Sequence, residues 1–447
     1  MIKRILMILI GLAALVAAGL VIYNLPPVHD RLAYRLDELK SRIQDIVAPP
    51  QKAVFVPQNQ VLEIVRQTIA AWTPTANPTS PTPTQPVDPG NSTPTQPVDP
   101  GNSTPTITAL PTETPPPTAV PTPIPAQALL KGIKHEYQKW NNCGPTNLSM
   151  ELSFWKWQGD QTDTAAYLKP NSRDKNVMPY EMASYVADKT TFKAVVRLGG
   201  DLNLLKTFIA AGFPVIVEKG FEGPNFDGWM GHYEVVNGYD DATSRFTVQD
   251  SYIQPDLGIP YADMQSNWRA FDFIYIVVFP PERQNDVLSI LGPQADEHAN
   301  YLYMAQKAQA ETQSLMGRDQ YFAWYNLGTS LVDLQNYSGA AAAYDEAYKI
   351  YPSIPENKRP YRMEWYQTGP YFAYFNTGRL QDVIDLATKT LASTTEPALE
   401  ESWVWRARAK ADLGDSAGAI DDFRTALKWH PGFQPALDGL KALGASS

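Results

Sequence analysis

The chain has 447 residues with 37 basic against 47 acidic side chains, a net charge of −10, which argues against a nucleic-acid partner. At about 100 to 200 residues per domain there is room for two or three domains, and a 44 % hydrophobic content supplies their cores. A single cysteine, Cys143, excludes an internal disulfide framework and any multi-cysteine zinc or iron–sulfur site.

Ile5 to Tyr23 is a run of 19 residues without a charge, preceded by Lys3 and Arg4. At about 1.5 Å per residue it approaches the roughly 30 Å of a bilayer core. The run predicts a transmembrane anchor over residues 1–24. The positive flank predicts an N-terminus inside, with everything after Asn24 on the far side. A cleaved signal peptide ending near Ala17-Ala18-Gly19 is the competing reading. Either way the bulk of the chain is expected outside the cytoplasm, and the anchor reading makes it a single-pass protein of the cell membrane. Leu32, Leu36, Leu39, Ile43 and Ile46 then form a helical stripe, too short for a dimerising coiled coil. It predicts a juxtamembrane helical segment within 25–72.

Thr73 to Pro125 holds 17 Pro and 14 Thr but three charged side chains, Asp88, Asp99 and Glu113, and repeats an 11-residue unit, T-P-T-Q-P-V-D-P-G-N-S, in tandem. So little apolar surface cannot offset the entropy of ordering, so residues 73–127 are expected to be a disordered linker with polyproline II character. At an upper limit of about 3.1 Å per residue it would hold the next domain well over ~100 Å from the membrane. P-x-x-P spacing also arises here, so a ligand for a groove-type domain is the minor alternative.

Order is expected from about Ala126, and 128–283 reads as one α+β domain. Pro145, just after Cys143-Gly144, marks a helix start, and Leu148, Leu152 and Trp155 recur at helical spacing. A thiol at a helix N-terminus is shifted toward thiolate, because unpaired N–H groups and the helix dipole favour the anion. Five residues upstream, the Gln138 amide is placed to stabilise an oxyanion. A cysteine buried as a small apolar residue is the bland alternative, but the N-N and G-P flanks suit an exposed turn.

A cysteine nucleophile needs a histidine, and the chain has five: His29, His135, His232, His298 and His430. His232 stands out, in G-W-M-G-H-Y-E-V-V-N-G-Y-D, where a glycine-rich loop leads into an alternating strand. R-F-T-V-Q-D-S reads as the returning strand of a hairpin with Asp240, Asp241 and Ala242 at the turn. A hairpin centred on residue 241 places His232 and Asp250 opposite one another, about 5 Å apart on one face. Asp250 then orients His232, whereas Asp240 and Asp241 lie roughly 25 Å away at about 3.3 Å per residue. A bulge would shift the register by one and turn one side chain to the other face. His135 is the lesser alternative base. P-V-I-V-E-K from Pro214 and F-I-Y-I-V-V-F from Phe273 supply further strands.

Gln138, Cys143, His232 and Asp250, in that order, resemble the papain-like cysteine peptidase plan. More narrowly, Q-K-W-N-N-C-G-P-T and G-H-Y-E-V-V-N-G-Y-D resemble the peptidase domain that trims double-glycine leaders of bacteriocins, over about Leu129 to Pro281. The resemblance implies Cys143 as nucleophile, His232 as general base, Asp250 as its orienter and Gln138 as oxyanion donor. No transporter follows, so the substrate does not carry over.

From Gln284 the pattern is helical and repeats. Trp324, Ala340, Tyr344, Ala347 and Pro352 recur at the same offsets as Trp403, Ala419, Phe423, Ala426 and Pro431. This fits the tetratricopeptide pattern. Trp365 to Thr390, with Gly369, Phe372 and Ala387, reads as a degenerate third copy, and Ala299–Ser314 as a capping helix. The repeat domain is expected over 284–447, its aromatics in the core and its concave face a docking surface for a protein partner. The composite expectation is a membrane-anchored cysteine peptidase acting on a peptide or protein, without metal or cofactor. Its alternatives are a catalytically silent binding scaffold and an acyl transferase using the same residues.

Overall fold

In this computed structural model the described residues are 54–57 and 124–447, less 170, 172 and 223–227, with scattered positions between 11 and 47. The expected anchor and Pro/Thr-rich linker lie almost wholly outside them. Among the described residues no helix is long and apolar enough to cross a membrane. The described positions between 39 and 47 are helical, as the stripe implies, but 54–57 are not.

The α+β domain is built on an antiparallel sheet. In chain order its elements are β1 (Gln127–Leu129), α1 (Cys143–Phe154), α2 (Gln161–Leu168), α3 (Pro179–Lys189), β2 (Lys193–Arg197), α4 (Leu202–Ala210), β3 (Val215–Phe221), β4 (Met230–Asp240), β5 (Arg245–Gln249), β6 (Leu257–Pro260), α5 (Tyr261–Trp268) and β7 (Tyr275–Phe279). The strands lie in the order β2-β7-β3-β4-β5-β6, and β1 pairs with the end of β4 that β3 leaves free. Both faces are covered, which is why β3 and β7 read as almost unbroken apolar runs. On one face Leu148, Met150 and Leu152 of α1 and Met182 and Val186 of α3 pack against Ile216, Val235 and Ile276. On the other, Leu205 and Phe208 of α4 meet Val217, Val236 and Val277.

Eight further helices of the described chain matter to the site: α6 (Gln284–Leu291), α7 (Glu297–Ser314), α8 (Gly317–Asp333), α9 (Tyr337–Ile350), α10 (Met363–Tyr366), α11 (Gly369–Asn376), α12 (Leu380–Ala392) and α13 (Glu400–Asp412); α14 (Ser416–Trp429) and α15 (Gln434–Ala442) finish the array. Three helix pairs, α8/α9, α11/α12 and α13/α14, stand where three repeats are expected. The expected boundary at 283 is not a break in packing. Val287 and Leu291 of α6 and Met304 and Ala308 of α7 belong to the core under the sheet, which continues into Leu327 of α8.

The degenerate middle repeat is legible in its packing. Tyr344 is fully buried, and a Cβ at Gly328 would lie 2.6 Å, and one at Gly369 2.0 Å, from its ring and hydroxyl. Glycine at both positions lets the tyrosine wedge between the first and second pairs. Gly369→Ala, despite alanine's better helix propensity, should therefore destabilise the chain by about 1–3 kcal/mol through overpacking, read as a lower urea midpoint at unchanged m-value.

Candidate active site

Cys143 opens α1 because the preceding turn is pinned. Asn141 takes a left-handed φ of 51°, and the buried Lys169 donates from Nζ to the carbonyls of Trp140 and Asn141 at 3.1 and 2.9 Å. The polar flanks suggested an exposed turn, but Asn142, Gly144 and Pro145 are buried and Asn141 is half-buried with its Nδ2 unpartnered. Asn142 donates from Nδ2 to Gln161 Oε1 at 2.9 Å, and Thr146 donates to the same oxygen at 3.1 Å. The thiol itself is half-buried.

His232 lies near the start of β4 and is 2 % exposed, its ring against that of Phe221 at 4.7 Å. Its Nε2 is 3.2 Å from Asp250 Oδ1, which also accepts from the backbone N–H groups of Tyr252 and Ile253 at 2.8 and 2.9 Å. With Nε2 so engaged, Nδ1 is the nitrogen left for the hydrogen bond between His232 and Cys143.

The expected register is corrected. The hairpin pairs Asp240 with Arg245 across a four-residue loop, and Val235 with Gln249, so His232 and Asp250 are not direct partners. The loop alone would pair Asp250 with Val235, which faces away from His232. Asn237 is the correction: it is the extra residue of a bulge between the Val236–Val248 and Gly238–Thr247 pairs. The net displacement from the expected register is two residues, and a shift of two preserves the face. The contact is therefore made diagonally. The bulge is held by β1's continuation, since Leu130 N–H donates to the Asn237 carbonyl at 2.8 Å and Asn237 Nδ2 to the Leu130 carbonyl at 3.0 Å.

Gln138 sits on the segment before α1. Its N–H donates to the Ser251 carbonyl at 2.9 Å, and its Oε1 accepts from Ser251 Oγ at 2.8 Å. With Oε1 taken, the end of the amide available to a substrate is its NH2 donor. Asn147 Nδ2 fixes this layer, donating to Ser251 Oγ, the Cys143 carbonyl and the Tyr233 carbonyl at 3.1, 2.9 and 2.8 Å. Neither Asn147 nor Ser251 was singled out from sequence. Both had a signal, one four residues beyond Cys143 on the same helix and the other next to Asp250.

The other histidines are elsewhere. His135 Nδ1 is 3.2 Å from Gln249 Oε1, His430 Nδ1 is 2.7 Å from Glu400 Oε1, and His298 is exposed on α7; His29 is outside the described residues. Asp241 holds Lys206 at 2.5 Å, a structural role remote from the thiol.

The electrostatics follow from burial opposed by pairing. Burial pushes the Cys143 thiol up, but the His232 hydrogen bond and charge, a backbone N–H hydrogen bond at Tyr233 and the Lys169 cation together bring it below the ordinary thiol range. Burial pulls His232 down, and Asp250 with the thiolate overcomes it and carries the imidazole up to about 10. Asp250 is held down at about 2, burial notwithstanding, mainly by His232. Both shifts favour the thiolate–imidazolium pair over the neutral one. The raised His232 stabilises the fold fully below its ordinary pKa, and that contribution is lost as pH rises through about 10. The depressed Asp250 contributes above the ordinary carboxylate range and loses its share as pH falls through about 2.

A thiol at the start of a helix laid on an antiparallel sheet, with a histidine–aspartate pair delivered by that sheet, is the arrangement of a cysteine-peptidase-like domain. Residues 130–276 match the model of the Peptidase_C39 like family, and 321–354 and 400–433 match tetratricopeptide repeat models. The chain thus carries a C39-like peptidase domain followed by tetratricopeptide repeats. Among solved structures it is similar to a candidate C39-like peptidase from Bacillus anthracis, at 18 % identity over 34 % of this chain and 96 % of that one, with a TM-score of 0.29. A double glycine motif protease from an AMS/PCAT transporter, solved with its leader peptide, matches at 17 % identity over 34 % and 98 %, with a TM-score of 0.26. Xylellain, a cysteine protease from Xylella fastidiosa, matches at 12 % identity over 35 % and 87 %, with a TM-score of 0.26. No curated protein matches the chain.

Because Cys143 is the only thiol, iodoacetamide reads it alone. Alkylation should set in at lower pH than for an ordinary thiol. In His232→Ala it should instead follow a titration near the ordinary thiol value of about 8.5.

Proposed function

We propose that the protein is a cysteine hydrolase that cleaves peptide bonds, held at the outer side of a membrane by Ile5–Tyr23, with its repeats docking a protein partner or the substrate. The observation that carries this reading is the Cys143–His232–Asp250 constellation, in which the buried carboxylate keeps the imidazole charged and the imidazolium keeps the thiol ionised. The anchoring rests on the uncharged run and its positive flank alone.

The Cys143 thiolate attacks the carbonyl carbon of the scissile amide, and the π pair moves to the oxygen. The oxyanion is held by the Cys143 backbone N–H, free of an intrahelical partner at the first position of α1, and by the Gln138 NH2 group. His232 gives its Nδ1 proton to the amine nitrogen as the C–N bond breaks, which leaves a thioester and neutral imidazole. That imidazole takes a proton from water, the hydroxide adds to the thioester carbonyl, and loss of thiolate releases the acid and restores the ion pair. Asp250 acts by orienting and charging His232. Ser251 and Asn147 act by fixing the Gln138 amide.

Across a fluorogenic peptide library the wild type should cleave a subset of sequences, and Cys143→Ala should cleave none while unfolding at an unchanged temperature. Gln138→Ala should lower kcat by about 10²- to 10³-fold. Absence of hydrolysis in the wild type would instead mark the domain as a binding scaffold, and release of amide to an added amine in preference to water would mark a transferase.

A further inference from the structure

Two pockets meet where the sheet faces the repeats. One surrounds Cys143, with Glu218, Gly231 and Tyr366 among its walls. The other, of about 400 Å³, opens between the two domains and shares Glu218 and Tyr366 with the first. Glu218 and Tyr366 are thus the walls common to the thiol pocket and the cleft. Phe271 of the peptidase domain and Val332 and Phe372 of the repeats give it apolar walls. Phe372, expected in the core, is 38 % exposed and rests its inner edge on Trp405 at 4.4 Å.

Three carboxyl groups, Glu218, Asp272 and Asp333, also line this cleft, and no lysine or arginine does. Asp272 is 3 % exposed and its Oδ1 has no hydrogen-bond partner. The cation that acts on it, Lys307, is committed elsewhere: its Nζ donates to the Gly199 and Gly200 carbonyls at 3.3 and 2.9 Å and lies over the Phe273 ring. Burial first, and neighbouring negative charge second, raise the buried Glu218 and Asp272 well above the carboxylate range; Asp333 is exposed and is raised less, to about 7. A buried carboxyl kept protonated for want of a cation can ionise when one arrives, so a cationic ligand is taken up with release of a proton.

We propose that the cleft is a substrate subsite for a lysine or arginine side chain, its methylenes between Phe271, Val332 and Phe372 and its charged end at Asp272 and Asp333. A long side chain with an apolar stem and a charged head fits such a lining. The inference rests on the Cys143 pocket being a peptide-binding site, and it makes the repeat domain part of the substrate site. The test uses the full chain with Cys143→Ala and a fluorescein-labelled positional-scanning set of nonapeptides, read by anisotropy. Peptides with one Lys or Arg should bind at least tenfold tighter than those with norleucine or Glu at the same position. Asp272→Asn with Asp333→Asn should bring that ratio close to one, and Asp333→Asn alone, at a less buried position, should lower it if the double variant does not fold. Equal binding across the set, or no binding by any basic peptide, overturns the proposal. Hydrolysis of the same peptides by the wild type is scored separately, so that failure of the peptidase reading and failure of the subsite are told apart.

A second, independent observation concerns Val54–Pro57, which lies on the repeat helices. Phe55 is 5 % exposed, edge-on to Tyr348 at 5.0 Å and tilted against Tyr374 at 6.1 Å. Lys389 covers its ring at 5.3 Å and donates from Nζ to the Val54 carbonyl at 3.0 Å. This segment and residues 124–447 belong to one compact unit. We infer that Val54–Pro57 is an internal ligand of the repeat domain. A labelled peptide of residues 51–60 should bind the full chain lacking those ten residues and fail to bind the intact chain, and the same peptide carrying Phe55→Ala should bind neither. Equal binding to both chains, or binding to neither, overturns the inference.

Discussion

How closely two aromatic rings approach one glycine governs the assembly of this protein. A Cβ on Gly231 would stand 2.7 Å from Phe271 and 3.2 Å from Tyr366. Without it, a ring from the peptidase domain and one from the repeats close directly on β4, one residue before His232. Trp229, two residues before Gly231, stacks on Phe271 at 5.7 Å and meets Phe322 of α8 at 6.0 Å. Polar contacts fix the same join: Arg362 donates to the Trp229 carbonyl at 3.0 Å, Gln367 to that of Ala270 at 3.1 Å and Asn326 to that of Arg269 at 2.7 Å. The strand that carries the histidine is thus a part of the domain interface.

That coupling gives the repeats a place beside the chemistry. Tyr366 ends α10, outside the peptidase-like domain, yet it borders the Cys143 pocket. Interior polar groups here are treated in two ways. Groups that work together, Cys143, His232 and Asp250, compensate one another, and each is shifted toward its charged form. Carboxyls without a partner cation, such as Glu151 on α1 and Glu218 on β3, are pushed well up by burial and remain neutral. A desolvated ion persists only where an opposite charge or several donors repay the loss of water.

Much of the peptidase-like domain was legible because its signals are local. The helix start at Cys143, the strands at Val215 and Tyr275 and the returning strand at Arg245 fall where Pro145, apolar runs and turn residues place them. The repeat offsets mark a first and third pair because Tyr344 and Phe423 fill equivalent gaps between helices. The middle pair was fainter, since only the glycine that accommodates Tyr344 stands out. The His232–Asp250 contact was anticipated from a register that the structure corrects: a longer loop and a bulge at Asn237 compensate, and neither is dictated by hydrophobic alternation.

The sequence by itself determined the kind of chemistry on offer and its order along the chain: one thiol at a helix start, a glutamine upstream, a histidine and an aspartate on one hairpin, then paired helices. Those features depend on neighbours within a turn or a hairpin. Only the tertiary structure decided that Phe372 lines a cleft, that Tyr366 reaches the thiol pocket, that Asp272 and Asp333 line one cleft with no lysine or arginine in its walls, and that Phe55 returns to the repeats. Each of these joins residues far apart in the chain, and their meeting is set by which surfaces exclude water together, a property no local pattern encodes.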